Sequence, residues 1–179
     1  IKPDFAEAHN NLGNAFRERG KLEEAVASYQ KALGLQPDYA EAHSNLGNTL
    51  RELGRLDEAV THCNKAINIK PDLVEAHNNL GNALKDLGKL KESLVSYHKA
   101  LALKPDYAVA HNNLGIALHN LGRLEEAVTS YRKALALKPD YPEAYNNLGI
   151  TLQEVGKLDG AVASYRKALA IKPDFADVH

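Results

Sequence analysis

The amino-acid sequence predicts an all-α protein in which one helical hairpin is repeated five times. Three observations lead to this prediction. Proline recurs at an interval of 34 residues, and aspartate follows it each time, at Pro3, Pro37, Pro71, Pro105, Pro139 and Pro173. The residues around each proline also recur in slightly altered form. Apolar residues between the prolines form two successive stripes with helical spacing, and a period of this length is typical of stacked helix pairs.

The period divides residues 1–179 into five units of a single array. We place the repeats at residues 6–39, 40–73, 74–107, 108–141 and 142–175. Residues 1–5 resemble the end of a preceding repeat, and residues 176–179 resemble the start of a following one. We therefore expect both segments to be parts of truncated flanking repeats of a longer parent protein.

The first repeat shows how each unit is expected to form two helices. The first helix is predicted over residues 6–19 and ends at Gly20, because glycine commonly follows the last helical residue. The second helix is predicted over residues 22–36 and ends at Pro37, which cannot continue a helix. The apolar stripes of the two helices are Ala8, Leu12, Ala15 and Phe16, then Leu22, Ala25, Val26, Tyr29, Ala32 and Leu33.

The aspartate that follows each proline is predicted to cap the next first helix. Asp38 precedes Glu41 by three residues, which is the spacing of a capping box. The same spacing recurs at Asp4 and Glu7, Asp72 and Glu75, and Asp140 and Glu143. Val109 replaces the glutamate in the fourth repeat, so the box is incomplete there.

A second glycine recurs on the apolar side of each first helix. Because glycine has no side chain, a facing helix can approach its backbone closely. We therefore expect a larger side chain at these positions to overpack the contact between helices. The positions are Gly13, Gly47, Gly81, Gly115 and Gly149.

These residues carry a resemblance to a known family. His9-x2-Leu12-Gly13-x2-Phe16, followed by Ala25-x3-Tyr29 and Pro37, is similar to the tetratricopeptide repeat signature, with His at the position where Trp is commonest. The resemblance implies a right-handed superhelical solenoid whose first helices line an extended concave surface for proteins or peptides. Departures from the pattern are few, namely Cys63 for the second-helix aromatic residue, Ser93 for alanine and Gly160 at a helix start.

Asparagine is concentrated on the predicted concave face. One column is invariant, a second contains Ser44, and a third ends at Ile116 and Ile150. An asparagine amide offers the donor and the acceptor that a peptide group requires, so the columns are candidates for binding the backbone of an extended peptide. The alternative is that the amides bond one another, water or adjacent backbone and only keep the face polar. The candidate residues are Asn11, Asn45, Asn79, Asn113 and Asn147, then Asn10, Asn78, Asn112 and Asn146, then Asn14, Asn48 and Asn82.

Charge on the same face changes along the chain. Arg17, Arg51 and Lys85 form a basic stripe that gives way to His119 and Gln153. A ligand with acidic residues at one end and an apolar opposite end would fit this gradient. Drift on a solvated surface explains the gradient equally well.

The A-x-x-N-L-G pattern of the repeats resembles that of O-linked N-acetylglucosamine transferases. This resemblance implies that the invariant asparagine column holds substrate polypeptides by their backbone, and that the chain is a recruiting arm without the transferase domain. A carboxylate clamp for chaperone tails would require Lys and Arg on this face. The corresponding positions hold Glu7, Glu41 and Glu75, which disfavours that role.

Composition disfavours several other functions. The chain has 22 basic and 23 acidic residues, whereas nucleic-acid binders usually carry a basic excess. No apolar run is long enough to span a bilayer, and one cysteine cannot form an internal disulfide, so an intracellular, cytoplasmic location is expected.

Four histidines at equivalent positions are spaced by whole repeats, and they are expected to pack rather than share a metal ion. They are His9, His43, His77 and His111. Cys63 is expected in the core.

The sequence therefore predicts a protein-interaction scaffold without catalytic residues, metal or cofactor. Its expected partner is a protein or an extended peptide, with neither nucleic acid nor membrane involved. A recruiting arm of a larger enzyme, such as an O-linked glycosyltransferase, is the first alternative. A structural or self-assembling spacer is the second, because terminal repeats expose apolar helix faces that can associate end to end.

Overall fold

A computed structural model describes residues 4–173, with side chains from residue 5 onward. The all-α prediction is confirmed, since these residues form ten α-helices and no strand. Within the described range, no helix is both long and apolar enough to cross a membrane. The helices are α1 (Asp4–Glu18), α2 (Leu22–Leu35), α3 (Ala40–Glu52), α4 (Leu56–Ile69), α5 (Val74–Asp86), α6 (Leu90–Leu103), α7 (Ala108–Asn120), α8 (Leu124–Leu137), α9 (Pro142–Glu154) and α10 (Leu158–Ile171).

The chain forms two compact units, residues 1–99 and residues 100–179. The first unit contains α1 to α5 and α6 up to Lys99. The second contains the end of α6 and then α7 to α10.

Each odd-numbered helix packs closely on the following even-numbered helix, as the recurring glycines predict. A Cβ atom added to Gly13 would lie 2.5 Å from Cε1 of Tyr29, and one added to Gly115 would lie 2.5 Å from Cε1 of Tyr131. At Gly47 the added atom would lie 2.7 Å from Sγ of Cys63. The expected close approach is therefore confirmed, because an alanine would already collide with the facing side chain.

Successive helix pairs then bury their apolar stripes against each other within each unit. In the first unit α2 packs on α3, and α4 packs on α5. Val26 and Tyr29 of α2 share one buried cluster with Leu46 and Leu50 of α3. In the second unit α8 packs on α9 in the same way. Stacking is what buries these side chains, since one hairpin cannot cover its own apolar face.

The first helices end at glycine, as predicted. Gly20 has φ of 72° and Gly54 has φ of 76°, a backbone region that disfavours residues with a Cβ atom. The amide of Gly20 donates to the carbonyl of Arg17 at 2.9 Å, and the amide of Lys21 donates to the carbonyl of Phe16 at 2.9 Å. These bonds close the helix end and direct the chain into the next helix.

The capping boxes predicted at Asp38, Asp72 and Asp140 are wrong. Helix α3 begins at Ala40 with Tyr39 at the capping position, and no side chain caps it. Leu73 and Tyr141 occupy the same position before α5 and α9, again without a side-chain cap. Each helix starts one residue later than the box requires, so the aspartate lies one position too early. The described part of the chain excludes the Asp4 side chain, residues 1–3 and residues 174–179. The last of these ranges contains the predicted flanking segment 176–179.

Candidate functional site

The invariant asparagine column, here called the asparagine ladder, lies on the odd-numbered helices. The ladder residues are Asn11, Asn45, Asn79, Asn113 and Asn147. Asn11 is exposed and the other four are half-buried. The first unit carries Asn11, Asn45 and Asn79, and the second carries the remaining two.

Ladder amides are hydrogen-bonded to the preceding odd-numbered helix. Nδ2 of Asn45 donates to Oδ1 of Asn10 at 3.0 Å. Nδ2 of Asn79 donates to Oγ of Ser44 at 3.0 Å. In the second unit, Nδ2 of Asn147 donates to Oδ1 of Asn112 at 3.2 Å. The ladder therefore ties neighbouring first helices together, which is one of the two roles that the sequence left open.

The second asparagine column lies between helices and supplies acceptors to the ladder. The exposed fraction is 5% for Asn10, 4% for Asn78 and 4% for Asn112. Ser44 is buried in the same way, and Asn146 is half-buried. These residues are therefore less accessible to a ligand than the ladder residues are.

The third column is tied to the tyrosines of the even-numbered helices. Oη of Tyr29 donates to Oδ1 of Asn14 at 2.8 Å, and Oη of Tyr97 donates to Oδ1 of Asn82 at 2.8 Å. Asn48 lacks this partner because Cys63 replaces the tyrosine. The pairing was missed at the sequence level, although its signal is a tyrosine 15 residues after the asparagine.

Without a tyrosine, the Asn48 amide bonds to charged residues of its own helix. Its Nδ2 donates to Oε1 of Glu52 at 3.0 Å. Its Oδ1 accepts from Nε of Arg51 at 3.4 Å. Asn48 is therefore the third-column residue that lies among charges, whereas Asn14 and Asn82 bind a phenol.

Two residues of the basic stripe, Arg51 and Lys85, pair with an acidic residue that the sequence reasoning did not consider. Nη1 of Arg51 lies 3.0 Å from Oδ2 of Asp86, and Nζ of Lys85 also pairs with Asp86. Burial raises the pKa of Asp86, but hydrogen bonds from Lys85 and Arg51 outweigh it and lower the pKa overall. In the second unit, Nε2 of His119 lies 3.0 Å from Oε1 of Glu154. The missed signal for Arg51 and for His119 is an acidic residue 35 positions later in the sequence.

An open cleft of about 280 Å³ adjoins the ladder in the first unit. Its lining contains residues of all three asparagine columns together with Tyr39 and Leu73. One wall is acidic, where Oε1 of Glu41 lies 2.8 Å from Nζ of Lys70. That hydrogen bond from Lys70 is the main reason that the pKa of Glu41 is lowered. The lining residues are Asn10, Asn14, Tyr39, Glu41, Ser44, Asn45, Leu73 and Glu75.

The histidine column packs between helices, as predicted. His43, His77 and His111 are buried, and their Nε2 atoms lie 3.0, 2.8 and 2.9 Å from the carbonyl oxygens of Pro37, Pro71 and Pro105. A carbonyl oxygen only accepts, so each Nε2 carries the proton and donates. These bonds hold the loop that precedes each first helix.

Cys63 is fully buried, which confirms the prediction of a core residue. Burial raises the pKa of its thiol to about 12. The sulfur therefore stays protonated near neutral pH and is a poor nucleophile.

Similar folds occur among solved structures. TTC0263, a thermophilic TPR protein in Thermus thermophilus, is 27% identical with a TM-score of 0.85, covering 96% of this chain and 94% of that one. MamA is 27% identical with a TM-score of 0.76, covering 93% of this chain and 97% of that one. YrrB, described as a TPR protein with an unusual peptide-binding site, is 27% identical with a TM-score of 0.70, covering 94% of this chain and 87% of that one.

Protein-family models match nearly the whole chain. A model described as TPR repeat matches four overlapping segments, and one described as tetratricopeptide repeat matches the last: 13–50, 47–88, 81–122, 117–156 and 142–175. These matches agree with the helix pairs and with the glycine and tyrosine contacts between them. The chain therefore belongs to the tetratricopeptide repeat family.

Proposed function

We propose that this chain is a protein-interaction scaffold that binds an extended segment of a partner protein along the asparagine ladder. Its membership of the tetratricopeptide repeat family supports a role in binding proteins. The description of YrrB as having a peptide-binding site supports a peptide as the bound form. The partner contacts in this proposal are made by ladder amides on the odd-numbered helices.

The observation that carries the proposal is that the ladder amides are held in place before any ligand binds. The bond from Asn45 to Asn10, at 3.0 Å, uses one of the two Nδ2 hydrogens of Asn45. Its second hydrogen and its carbonyl oxygen match the acceptor and donor of a peptide group. Because the side chain is already ordered, binding a peptide costs little additional rotamer entropy.

Spacing supports a main-chain contact in each repeat. Packed helices lie about 10 Å apart, and an extended chain advances about 3.3 Å per residue. A peptide running across neighbouring first helices would therefore meet a ladder amide about every third residue. One such bond contributes only about 1 kcal/mol, so useful affinity requires several of them.

Charge makes a smaller contribution in this proposal. Arg51 and Lys85 already pair with Asp86, so an acidic ligand would have to displace that carboxylate. The hypothesis of a ligand with an acidic end consequently has less support than main-chain recognition. We expect sequence preference to come from side chains that reach the cleft beside Tyr39 and Leu73.

A recruiting arm of a larger enzyme is a second form of the same proposal. The A-x-x-N-L-G pattern and the half-buried ladder support it, and O-linked glycosyltransferases are the enzyme class that the pattern suggests. The coding sequence of the parent protein decides between the two forms. A catalytic domain beside the array supports the arm, and its absence supports an independent scaffold.

The proposal predicts that removal of the ladder amides in the first unit abolishes capture of partners. The test variant carries Asn11→Ala, Asn45→Ala and Asn79→Ala, and captured proteins are identified by pull-down and mass spectrometry. Three lost bonds of about 1 kcal/mol each correspond to about 100-fold weaker binding of a captured segment.

A matched control carries Asn64→Ala and Asn68→Ala, which are exposed asparagines of α4 away from the ladder. Circular dichroism must show equal helicity for all three proteins, because the ladder also joins helices. A captured segment is then synthesised with N-methylated backbone amides. Equal binding by the ladder variant, or undiminished binding of the N-methylated peptide, would refute main-chain recognition.

A further inference from the structure

Besides Cys63, the second helix of the second repeat departs from the other four repeats at the position just before it. Four repeats have serine there, and each serine hydroxyl donates to the backbone carbonyl four residues earlier, at 2.8 to 3.3 Å. The second repeat has His62 instead. The four serines are Ser28, Ser96, Ser130 and Ser164.

His62 of α4 faces His43 of α3. The two Nδ1 atoms are 2.9 Å apart, and the ring centroids are 5.2 Å apart with an interplanar angle of 29°. Nε2 of His43 donates to the carbonyl of Pro37 at 3.0 Å and therefore carries a proton. Nδ1 of neutral His43 is then an acceptor, so the proton between the rings belongs to Nδ1 of His62.

This arrangement limits how many protons the pair can hold. One additional proton can bind Nε2 of His62 and leave the bond between the rings intact, although it places a charge on a half-buried side chain. A second proton would place two N–H groups opposite each other at 2.9 Å. Like charges at that distance repel, so the second proton breaks the hydrogen bond between the two rings.

The surroundings of the pair favour the neutral form. Burial is the largest cause that lowers the pKa of both histidines, and together with the neighbouring His43 and nearby cations it brings the pKa of His62 to about 4. Lys65 opposes protonation of both rings, and Arg55 opposes that of His62. Asp38 and Glu58 act in the opposite direction, but their effect is smaller than that of burial.

We propose that His43 and His62 form an acid-sensitive latch between α3 and α4, which stabilises the second repeat at neutral pH and is lost in mild acid. Histidine in an unfolded chain titrates near pH 6.5. Between that pH and about 4, the unfolded chain binds protons that the folded pair excludes. Stability contributed by the latch is therefore complete above about pH 6.5 and decreases as the pH falls toward 4.

Thermal unfolding of the 179-residue chain at pH 7.5 and pH 5.0 tests the latch. His62→Ser restores the residue of the other four repeats, so it should fold normally. We expect the loss of Tm between the two pH values to be smaller in this variant by about 3 °C or more. His98→Ser is the matched control, because it removes an exposed histidine of α6, and it should behave as the native chain.

A second measurement does not depend on a variant. Imidazole resonances of the native chain, followed by NMR between pH 8 and pH 4, should show His62 titrating well below the value of about 6.5 that an unfolded histidine has. Equal Tm losses in all three proteins would overturn the proposal. Titration of His62 near pH 6.5 would overturn it as well. One readout measures stability and the other measures protonation of His62, and neither depends on whether the ladder binds a peptide.

Discussion

At the scale of single residues, the glycines of the first helices determine how closely each helix pair can pack. Gly81 faces Tyr97, and a Cβ atom added to Gly81 would lie 2.5 Å from Cε1 of that ring. Tyr97 cannot move aside easily, because it is fully buried and its hydroxyl donates to Asn82 at 2.8 Å. Tyr97 thus determines both how closely the helix that carries Gly81 can approach it and how the side chain of Asn82 is oriented.

We predict that Gly81→Ala destabilises the protein by about 1–3 kcal/mol, through overpacking against the Tyr97 ring. The free energy of unfolding in urea is the measurement. Gly34→Ala is the matched control, since an added Cβ there meets nothing within 4 Å and alanine favours the helix. Equal stability of the two variants would contradict the packing argument.

At the scale of elements, the turns between paired helices require glycine because of its backbone conformation. A Cβ atom at the same position would not collide with a neighbour. Gly54 has φ of 76°, and a Cβ atom built there would contact nothing within 4 Å. The helix ends are therefore specified by glycine conformation. The starts of α3, α5, α7 and α9 lack side-chain caps, and that of α3 depends instead on loop contacts such as the bond from His43 to Pro37.

We predict that Gly54→Ala costs about 1–2 kcal/mol, because a residue with a Cβ atom is strained at positive φ. Gly54→Asn should cost less, since asparagine tolerates this conformation better. Chemical denaturation of both variants provides the comparison. Indistinguishable stabilities for alanine, asparagine and glycine at position 54 would show that the turn conformation is not limiting.

At the scale of the whole molecule, apolar side chains remain exposed on α1 and α10 where the equivalent residues of other repeats are covered. Leu12 is 45% exposed, whereas Leu46 is 1% exposed. Val162 is 47% exposed, whereas Val26 is 4% exposed. In each unit, stacking of a neighbouring helix pair covers such residues. The two exposed faces therefore resemble the two sides of an internal contact between repeats.

We predict that the 179-residue chain associates end to end through these faces as its concentration rises. Light scattering should then show a mass that increases with concentration, because such a contact joins two different surfaces and need not close. Leu12→Lys or Val162→Lys should reduce the increase. A constant monomer mass for the native chain would contradict this prediction.

The sequence by itself determined the number of helices, their approximate bounds and the pairing of neighbours, because these depend on short-range signals that recur every 34 residues. Glycine conformation, proline geometry and helical apolar spacing act within a few residues, so they can be read without coordinates. The same reasoning failed at the aspartates, where a shift of one residue in the helix start removes the cap.

Only the tertiary structure decided which hydrogen-bond or ion-pair partner each polar residue of the ladder-bearing helices takes. Asn10 is buried as an acceptor for Asn45, and Asp86 neutralises Arg51, each across 35 residues. Asn14 binds the phenol of Tyr29 across 15 residues. Side chains that look equivalent on one helix differ in accessibility because neighbouring helices cover them unequally, and that depends on packing between elements rather than on local sequence.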